Sequence, residues 1–475
     1  MNAEKPVREW LGKSQGEAFN SLARLVAIPS ISTDGAHEAE LKQSADLVAD
    51  LAREAGFPEV EVIKPESGYP AVIASWMVDP ELSTVLMLSH HDVQPVNYRS
   101  DWKTDPWILH EKEGRLFGRG AADDKGGVIA QIMAVKAWTK THGKPPVNVK
   151  LLIEGEEEIG SQNLLSLAKQ NRHRLLADAL VVCDTENIDV GLPSLTCSLR
   201  GVVTLKVTAK SAEIPSHSGM SGGALADPAI GLCWLLGKLC WNRGPIPVPG
   251  LYEGVRPVSE EERKVYRSLP GDELSIRRDL QILPGVSLAL ETGKNFHEQT
   301  WRRPAITVIA LEASSISQAS NQVLPKAEAI ISCRIVPDQE PAKVVQALAE
   351  FLRQPMPWGI QIDVEEIGSA VKWWRTDPEG PAFQAAKDSM HEGFGVRPVA
   401  TGCGGTIGFI EPLEKMLGGA PALLFGIEDP SSNAHAPNES LHLGDWHKLI
   451  LSLAGFLGKM RSVSPRKASI NSLNA

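Results

Sequence analysis

Apolar residues recur at helical spacing over residues 15–27, where Leu22, Leu25 and Val26 share one side, and again over 38–55. Between and after them come short continuous apolar runs. Thr84-Val85-Leu86-Met87-Leu88, residues 147–153 and Ala179-Leu180-Val181-Val182-Cys183 each have the length of a buried strand. Residues 125–139 read as a helix between two of them. Buried strands alternating with helices predict an α/β fold built on a mostly parallel sheet with flanking helices.

Near Gly201 the pattern changes. Residues 202–208 read as a half-exposed strand, 229–241 as a helix, 304–311 and 327–336 as strands, and 342–353 as a helix. Along 327–336 the alternation puts Ala327, Ala329, Ile331, Cys333 and Ile335 on one face and Arg334 on the other. Residues 258–302 are charged and lack a strong period. A helix at 381–391 and a strand at 420–426 then return to the first pattern. The expectation is a discontinuous domain, 1–200 and 371–462, with a smaller α+β unit, 201–370, inserted into it. With 475 residues, two domains are the natural outcome. Residues 463–475, rich in Ser, Lys and Asn, are expected to form a disordered tail.

Composition narrows the function classes. A formal net charge of -10 disfavours nucleic acid as a partner. No apolar run approaches the ~20 residues of a membrane span. The first residues lack the basic-then-apolar pattern of a secretory leader. Six cysteines without a CxxC pair, most in apolar surroundings such as those of Cys183 and Cys233, suggest reduced, buried thiols. A cytoplasmic location is expected.

The candidate chemistry sits at the ends of the predicted strands. His90 and Asp92 follow Leu88 with both side chains on one side. Asp123 and Asp124 lie in a glycine-rich turn before the 125–139 helix; they could bridge cations or simply cap that helix. Glu156, Glu157 and Glu158 follow the strand ending at Ile153, where a cation would relieve their repulsion, although a charge run is often only a solvated loop. Asp184 follows Val182, and His435 lies in a polar loop. Open α/β sheets place their ligand crevice at this edge. Jointly these residues form a mixed nitrogen and oxygen donor set suited to a pair of divalent metal ions, Zn²⁺ first, Mn²⁺ or Co²⁺ next.

In these segments the chain resembles the M20 metallopeptidases, and among them the carnosinase-like dipeptidases. His90-His91-Asp92-Val93-Gln94-Pro95 is similar to H-Y-D-V-Q-P, Gly118 through Gly127 to G-R-G-x-x-D-D-K-G-G, and Glu154 through Ser161 to E-G-x-E-E-x-G-S. His217-Ser218-Gly219, Asn321 through Pro325, Ser332 through Pro337 and His435 through Glu439 match later motifs of the same pattern. The resemblance implies that 1–200 and 371–462 form a catalytic di-metal domain and 201–370 a lid and dimerisation domain. It implies one metal on His90 and Asp184, the other on Glu158 and His435, and Asp123 bridging through a residue whose bond to Asp124 is cis. It makes Glu157 the general base and Asp92 the support of His90. His217, contributed by the partner in a homodimer, would stabilise the oxyanion, and Arg334, Asn321, Gly404 and Gly405 would contact substrate.

The chain departs from the dipeptidase pattern in two places. Where many members have R-E-G-G-S-I-P, it has Gly402-Cys403-Gly404-Gly405-Thr406-Ile407-Gly408; where some have a His-Pro-His stretch, it has Glu379-Gly380-Pro381. The function implied is hydrolysis of the amide bond of a small peptide with a free C-terminal carboxylate. Aminoacylase, desuccinylase-like deacylase and glutamate carboxypeptidase activities are the near alternatives, and a non-catalytic binding protein the remote one.

Overall fold

A computed structural model describes residues 3–466. The chain divides into two compact units. The first comprises the chain up to Cys197, Thr376–Thr401 and the chain from Phe409 on; the second comprises Ser198–Arg375 and Gly402–Gly408.

In the first unit the strands run in the order Glu59–Ile63, Ala71–Trp76, Asn148–Glu154, Thr84–His90, Ala179–Glu186 and Ala422–Glu428. The last four are mutually parallel, and the first two are antiparallel additions at one edge. The parallel strands are buried along almost their whole length, on both faces; this is why their sequences read as unbroken apolar runs. The helices expected at 15–27, 38–55, 125–139 and 381–391 form as Gln15–Val26, Glu38–Glu54, Lys125–His142 and Pro381–Phe394. A further helix, Leu443–Met460, was not anticipated. It buries Trp446, Leu449, Leu453, Phe456 and Met460 and packs on Lys125–His142 and Pro381–Phe394.

The second unit is a four-stranded antiparallel sheet in the order Ala305–Glu312, Lys326–Ile335, Gly201–Lys210 and Gln361–Glu366. Helices Pro228–Gly237 and Pro341–Leu352 cover one face. Ala327, Ala329, Ile331, Cys333 and Ile335 are buried under them, and Arg334 lies on the other face. The stretch from 258 to 302 is not featureless. It holds three short helices, Glu260–Ser268, Glu273–Asp279 and Phe296–Arg302, opened by the capping side chains of Ser259, Asp272 and Asn295. Ser259 and Glu262 form a full capping box, a local signal that hydrophobic periodicity does not detect.

Two expectations need revision. Cys233 is exposed, not buried, as is Cys240. Helix Pro228–Gly237 packs through Gly231, Leu232 and Leu235, which turns Cys233 outward. The expected tail is anchored as far as the structure describes it: Val463 packs against the first unit's core, and Arg466 donates its backbone N–H to Asp178. Residues 467–475 lie outside the described residues. Among those described, no helix is long and apolar enough to cross a membrane.

Lys150 is enclosed in the middle of the parallel sheet, its ammonium bonded to the Leu176 carbonyl at 2.7 Å. Burial pushes its pKa down to about 8. The unfolded chain therefore binds more protons than the native one between pH 8 and the ordinary lysine value of 10.5, so this residue's contribution to stability improves as pH rises through that window. Wild type should gain up to ~3 kcal/mol relative to Lys150→Met between pH 7 and pH 10. Unfolding curves of the two proteins at both pH values check this; a difference independent of pH would contradict it.

Candidate metal centre

The centre lies in the first unit, at the C-terminal ends of three adjacent parallel strands. Strand register sets Glu154 opposite His90, and Val182 opposite Leu88, so the following residues of the three strands converge. His90 Nε2 lies 3.0 Å from Asp123 Oδ1 and 3.9 Å from Asp184 Oδ1. His435 Nε2 lies 2.9 Å from Asp123 Oδ2 and 3.2 Å from Glu158 Oε2. Asp123 thus presents one oxygen to each of two donor groups, and its peptide bond to Asp124 is cis.

Asp124 is a residue for which the sequence leaves open a cation-binding or a helix-capping role. It occupies the N-cap position of Lys125–His142, yet its side chain makes no capping bond. Instead it falls within a 4.8 Å cluster with donor atoms of His90 and Asp184, while Asp123, Glu158 and His435 form a second such cluster. The glycines of the turn make this possible. A Cβ on Gly127 would stand 2.0 Å from Asp124 Oδ1 and 2.7 Å from the Cys183 carbonyl.

Asp92 ties the centre together. It is fully buried, lies 3.3 Å from His90 Nδ1, and accepts from the backbone N–H groups of Glu157 and Glu158 at 3.2 and 3.1 Å and from Ser32 Oγ at 2.7 Å. One carboxylate therefore orients the histidine ring and holds the turn that carries the glutamates. Glu439 does the same for the aspartate turn. Buried and paired with Arg119 at 2.7 Å, it accepts from the backbone N–H groups of Gly120, Ala122 and Asp123. No role was assigned to it from sequence, although it closes a recognised motif.

The three consecutive glutamates have three different fates. Glu156 is structural, accepting from the Tyr69 and Asn163 backbones. Glu158 accepts from Gln94 at 2.8 and 3.0 Å and faces His435. The carboxylate of Glu157 has no hydrogen-bond partner among the described residues. His91, beside His90, turns away and places its Nε2 2.9 Å from the Pro70 carbonyl. Burial pushes it down to about 4.

Charge is concentrated here. Burial and then the neighbouring carboxylates hold the Glu157 and Asp184 carboxyl groups above their usual range, against the pull of His90; Glu158 rises to about 7, mainly through burial. His435 is pushed up to about 11 by its contacts with Asp123 and Glu158. Burial disfavours the charged form of His90, yet Asp123, Asp184 and Asp92 outweigh it and raise the ring well above its usual value. Asp124 Oδ1 is buried without a hydrogen-bond partner. A pair of divalent cations fits this donor set: imidazole nitrogens and carboxylate oxygens converge, one carboxylate spans both groups, and an orphaned oxygen gains a ligand.

The remaining predicted residues lie in the second unit. His217 and Asn321 stand together and exposed, where Ser216–His217 pairs with Gln322–Val323 and the Asn321 carbonyl accepts from the Ser218 N–H. Arg334 donates to Thr406 Oγ1 at 2.6 Å, in the loop that carries Gly404 and Gly405.

The chain is similar to known proteins over most of its length. The sequence model of Peptidase family M20/M25/M40 matches residues 86–459. A cysteinylglycine-S-conjugate dipeptidase of Corynebacterium striatum is 33% identical over 79% of this chain and 80% of its own length. The crystal structure of human carnosine dipeptidase 1 superposes with a TM-score of 0.85 at 27% identity, covering 98% of this chain and 100% of that one. The structure of the di-peptidase Dug1p of Saccharomyces cerevisiae gives 0.84 at 25%, covering 97% and 99%. With its carboxylates and histidines gathered at one sheet edge, the chain belongs to peptidase family M20/M25/M40 and is a metallopeptidase with a dinuclear divalent-metal site.

Proposed function

We propose that this protein is a dipeptidase that hydrolyses the amide bond of small peptides with a free C-terminal carboxylate. The observation that carries the reading is the pairing of Asp123, whose two oxygens reach the two histidines, with a neighbouring half-buried glutamate, Glu157, whose carboxylate is uncommitted. The names of the relatives, dipeptidases acting on Cys-Gly conjugates and carnosine, support it.

His90 and Asp184 would hold one cation and Glu158 and His435 the other, with Asp123 shared between them; Asp124 lies close enough to His90 and Asp184 to join the first group. When bound, the cations supply Lewis acidity and lower the pKa of water at the centre. Zn²⁺ suits the mixed donors best, with Mn²⁺ or Co²⁺ as substitutes. Glu157 takes the proton of the attacking water and delivers it to the leaving amine, a task for a carboxylate whose burial raises its proton affinity. Asp92 keeps His90 and Glu157 in place. His217, supplied by the second subunit of a homodimer, donates to the developing oxyanion. Arg334, with Asn321, Gly404 and Gly405, receives the substrate carboxylate, for which a planar guanidinium is suited. Among the described residues all six cysteines are free, which supports a reducing, cytoplasmic setting.

Glu157→Gln should lower kcat by roughly 10²–10⁴-fold on a dipeptide while the protein keeps its metal and its fold; turnover near wild type would remove Glu157 from the role of base. Chelation should lower the melting temperature, and added Zn²⁺ or Mn²⁺ should restore it, because the cations bind only the native state, an effect of ~3 kcal/mol at a hundredfold excess over Kd. Melting insensitive to chelator contradicts the centre. Gly127→Ala, whose methyl group would collide with Asp124, should reduce bound metal from about two equivalents toward one, read by elemental analysis. Undiminished metal content would show that Asp124 is not needed to hold it. A panel of dipeptides and N-acyl amino acids decides the substrate class; cleavage of N-acyl amino acids alone replaces the dipeptidase reading with a deacylase.

A further inference from the structure

The second unit contains two arginines that share one loop and have no acid to neutralise them. Arg334 lies opposite Val202 in the antiparallel pairing, and Arg200 stands two residues before Val202. Both reach the 402–408 loop. Arg200 Nε donates to the Gly404 carbonyl at 2.9 Å, Arg334 Nη1 donates to Thr406 Oγ1 at 2.6 Å, and Thr406 Oγ1 donates to the Arg200 carbonyl at 2.6 Å. A Cβ on residue 404 would stand 2.8 Å from Arg200 Nη2, so glycine lets the guanidinium lie against the loop backbone.

Among the described residues neither arginine has a carboxylate partner, and no hydrogen bond takes up the terminal nitrogens of Arg200. Burial, then repulsion from Arg334, draws Arg200 down to about 10. Cys403, whose sulfur accepts from the Gly405 N–H at 3.2 Å, occupies the position where the dipeptidase pattern carries glutamate. Two half-buried guanidinium groups, with donors unused and the local acid replaced by a thiol, form a site for two negative charges.

We propose that Arg200 is a second substrate-binding arginine, which with Arg334 selects peptides whose carboxyl-terminal residue is itself acidic. Arg334 takes the main-chain carboxylate, a role that rests on the reading above, and Arg200 takes the side-chain carboxylate of a terminal aspartate or glutamate.

The test compares Ala-Glu with its uncharged isostere Ala-Gln, using metal-loaded wild type, Arg200→Gln and Cys403→Glu. Wild type should prefer Ala-Glu in kcat/KM by roughly 10- to 100-fold, through KM, as expected of a charged hydrogen-bonded pair. Arg200→Gln should abolish the preference, and Cys403→Glu should do the same by returning an acid to Arg200. A wild type indifferent to the charge overturns the proposal. So does an Arg200→Gln variant that loses the two substrates equally, since Arg200 would then share the main-chain carboxylate or serve the fold alone. Calorimetric titration of wild type with L-glutamate and L-glutamine reads the same site without turnover, and needs no variant to fold. Tighter glutamate binding supports the proposal and equal binding rejects it. If neither dipeptide is hydrolysed, the dipeptidase reading fails, and the titration still decides the anion site.

Discussion

Everything in the first unit is arranged around one electrostatic constraint: several carboxylates must be held together, out of bulk water, at the end of a sheet. Asp92, Asp123, Asp124, Glu158 and Asp184 surround His90 and His435 within hydrogen-bonding or ligating reach, with Glu157 beside them. Like charges at such spacing repel, and burial multiplies the cost. Two histidines do not balance them, whereas divalent cations do. The site is therefore organised for metal before any substrate is considered.

Holding that arrangement takes a framework of buried, fully bonded side chains. Asp92 spans from His90 to the turn of Glu157 and Glu158, and Glu439 spans from Arg119 to the turn of Asp123. Each satisfies two or more backbone N–H groups at once, so each fixes a turn that carries the site's carboxylates. Gly127 contributes by leaving room for the Asp124 carboxylate. The framework and the ligands come from different strands and loops.

The second unit follows other physics. Its antiparallel sheet buries one face under two helices and leaves the other face half exposed, with Arg334 there. On this side of the sheet Arg200 donates to the Gly404 carbonyl and the Cys403 sulfur accepts from the Gly405 N–H, so both engage the 402–408 loop. Membership of the family constrains the chemistry of the first unit, while the loop at Gly402–Gly408 is where this chain differs most visibly from the dipeptidase pattern.

Much of this was legible in the sequence, for identifiable reasons. Buried parallel strands leave unbroken apolar runs, so Thr84–His90, Asn148–Glu154 and Ala179–Glu186 were found, and with them the edge where His90, Glu158 and Asp184 gather. The alternation around Arg334 was equally direct, because one face of its strand is buried. Periodicity could not reveal the capped helices between 260 and 302, which form on local side-chain bonds. Leu443–Met460, by contrast, carries a helical period through Trp446, Leu449, Leu453, Leu457 and Met460, and was legible in the sequence although no helix was expected there. Adjacent residues with one chemistry were the hardest: pattern and composition do not distinguish Glu156, Glu157 and Glu158, whose roles came only from the family resemblance, and nothing in Asp123-Asp124 tells which oxygens converge on which partners. The sequence by itself determined the elements, the sheet edge and the stock of ligands, since those depend on local pattern and composition. Only the tertiary structure decided which oxygen of Asp123 faces which histidine and that Asp124 falls in with His90 and Asp184, because that depends on distances between atoms from segments as far apart as His90 and His435.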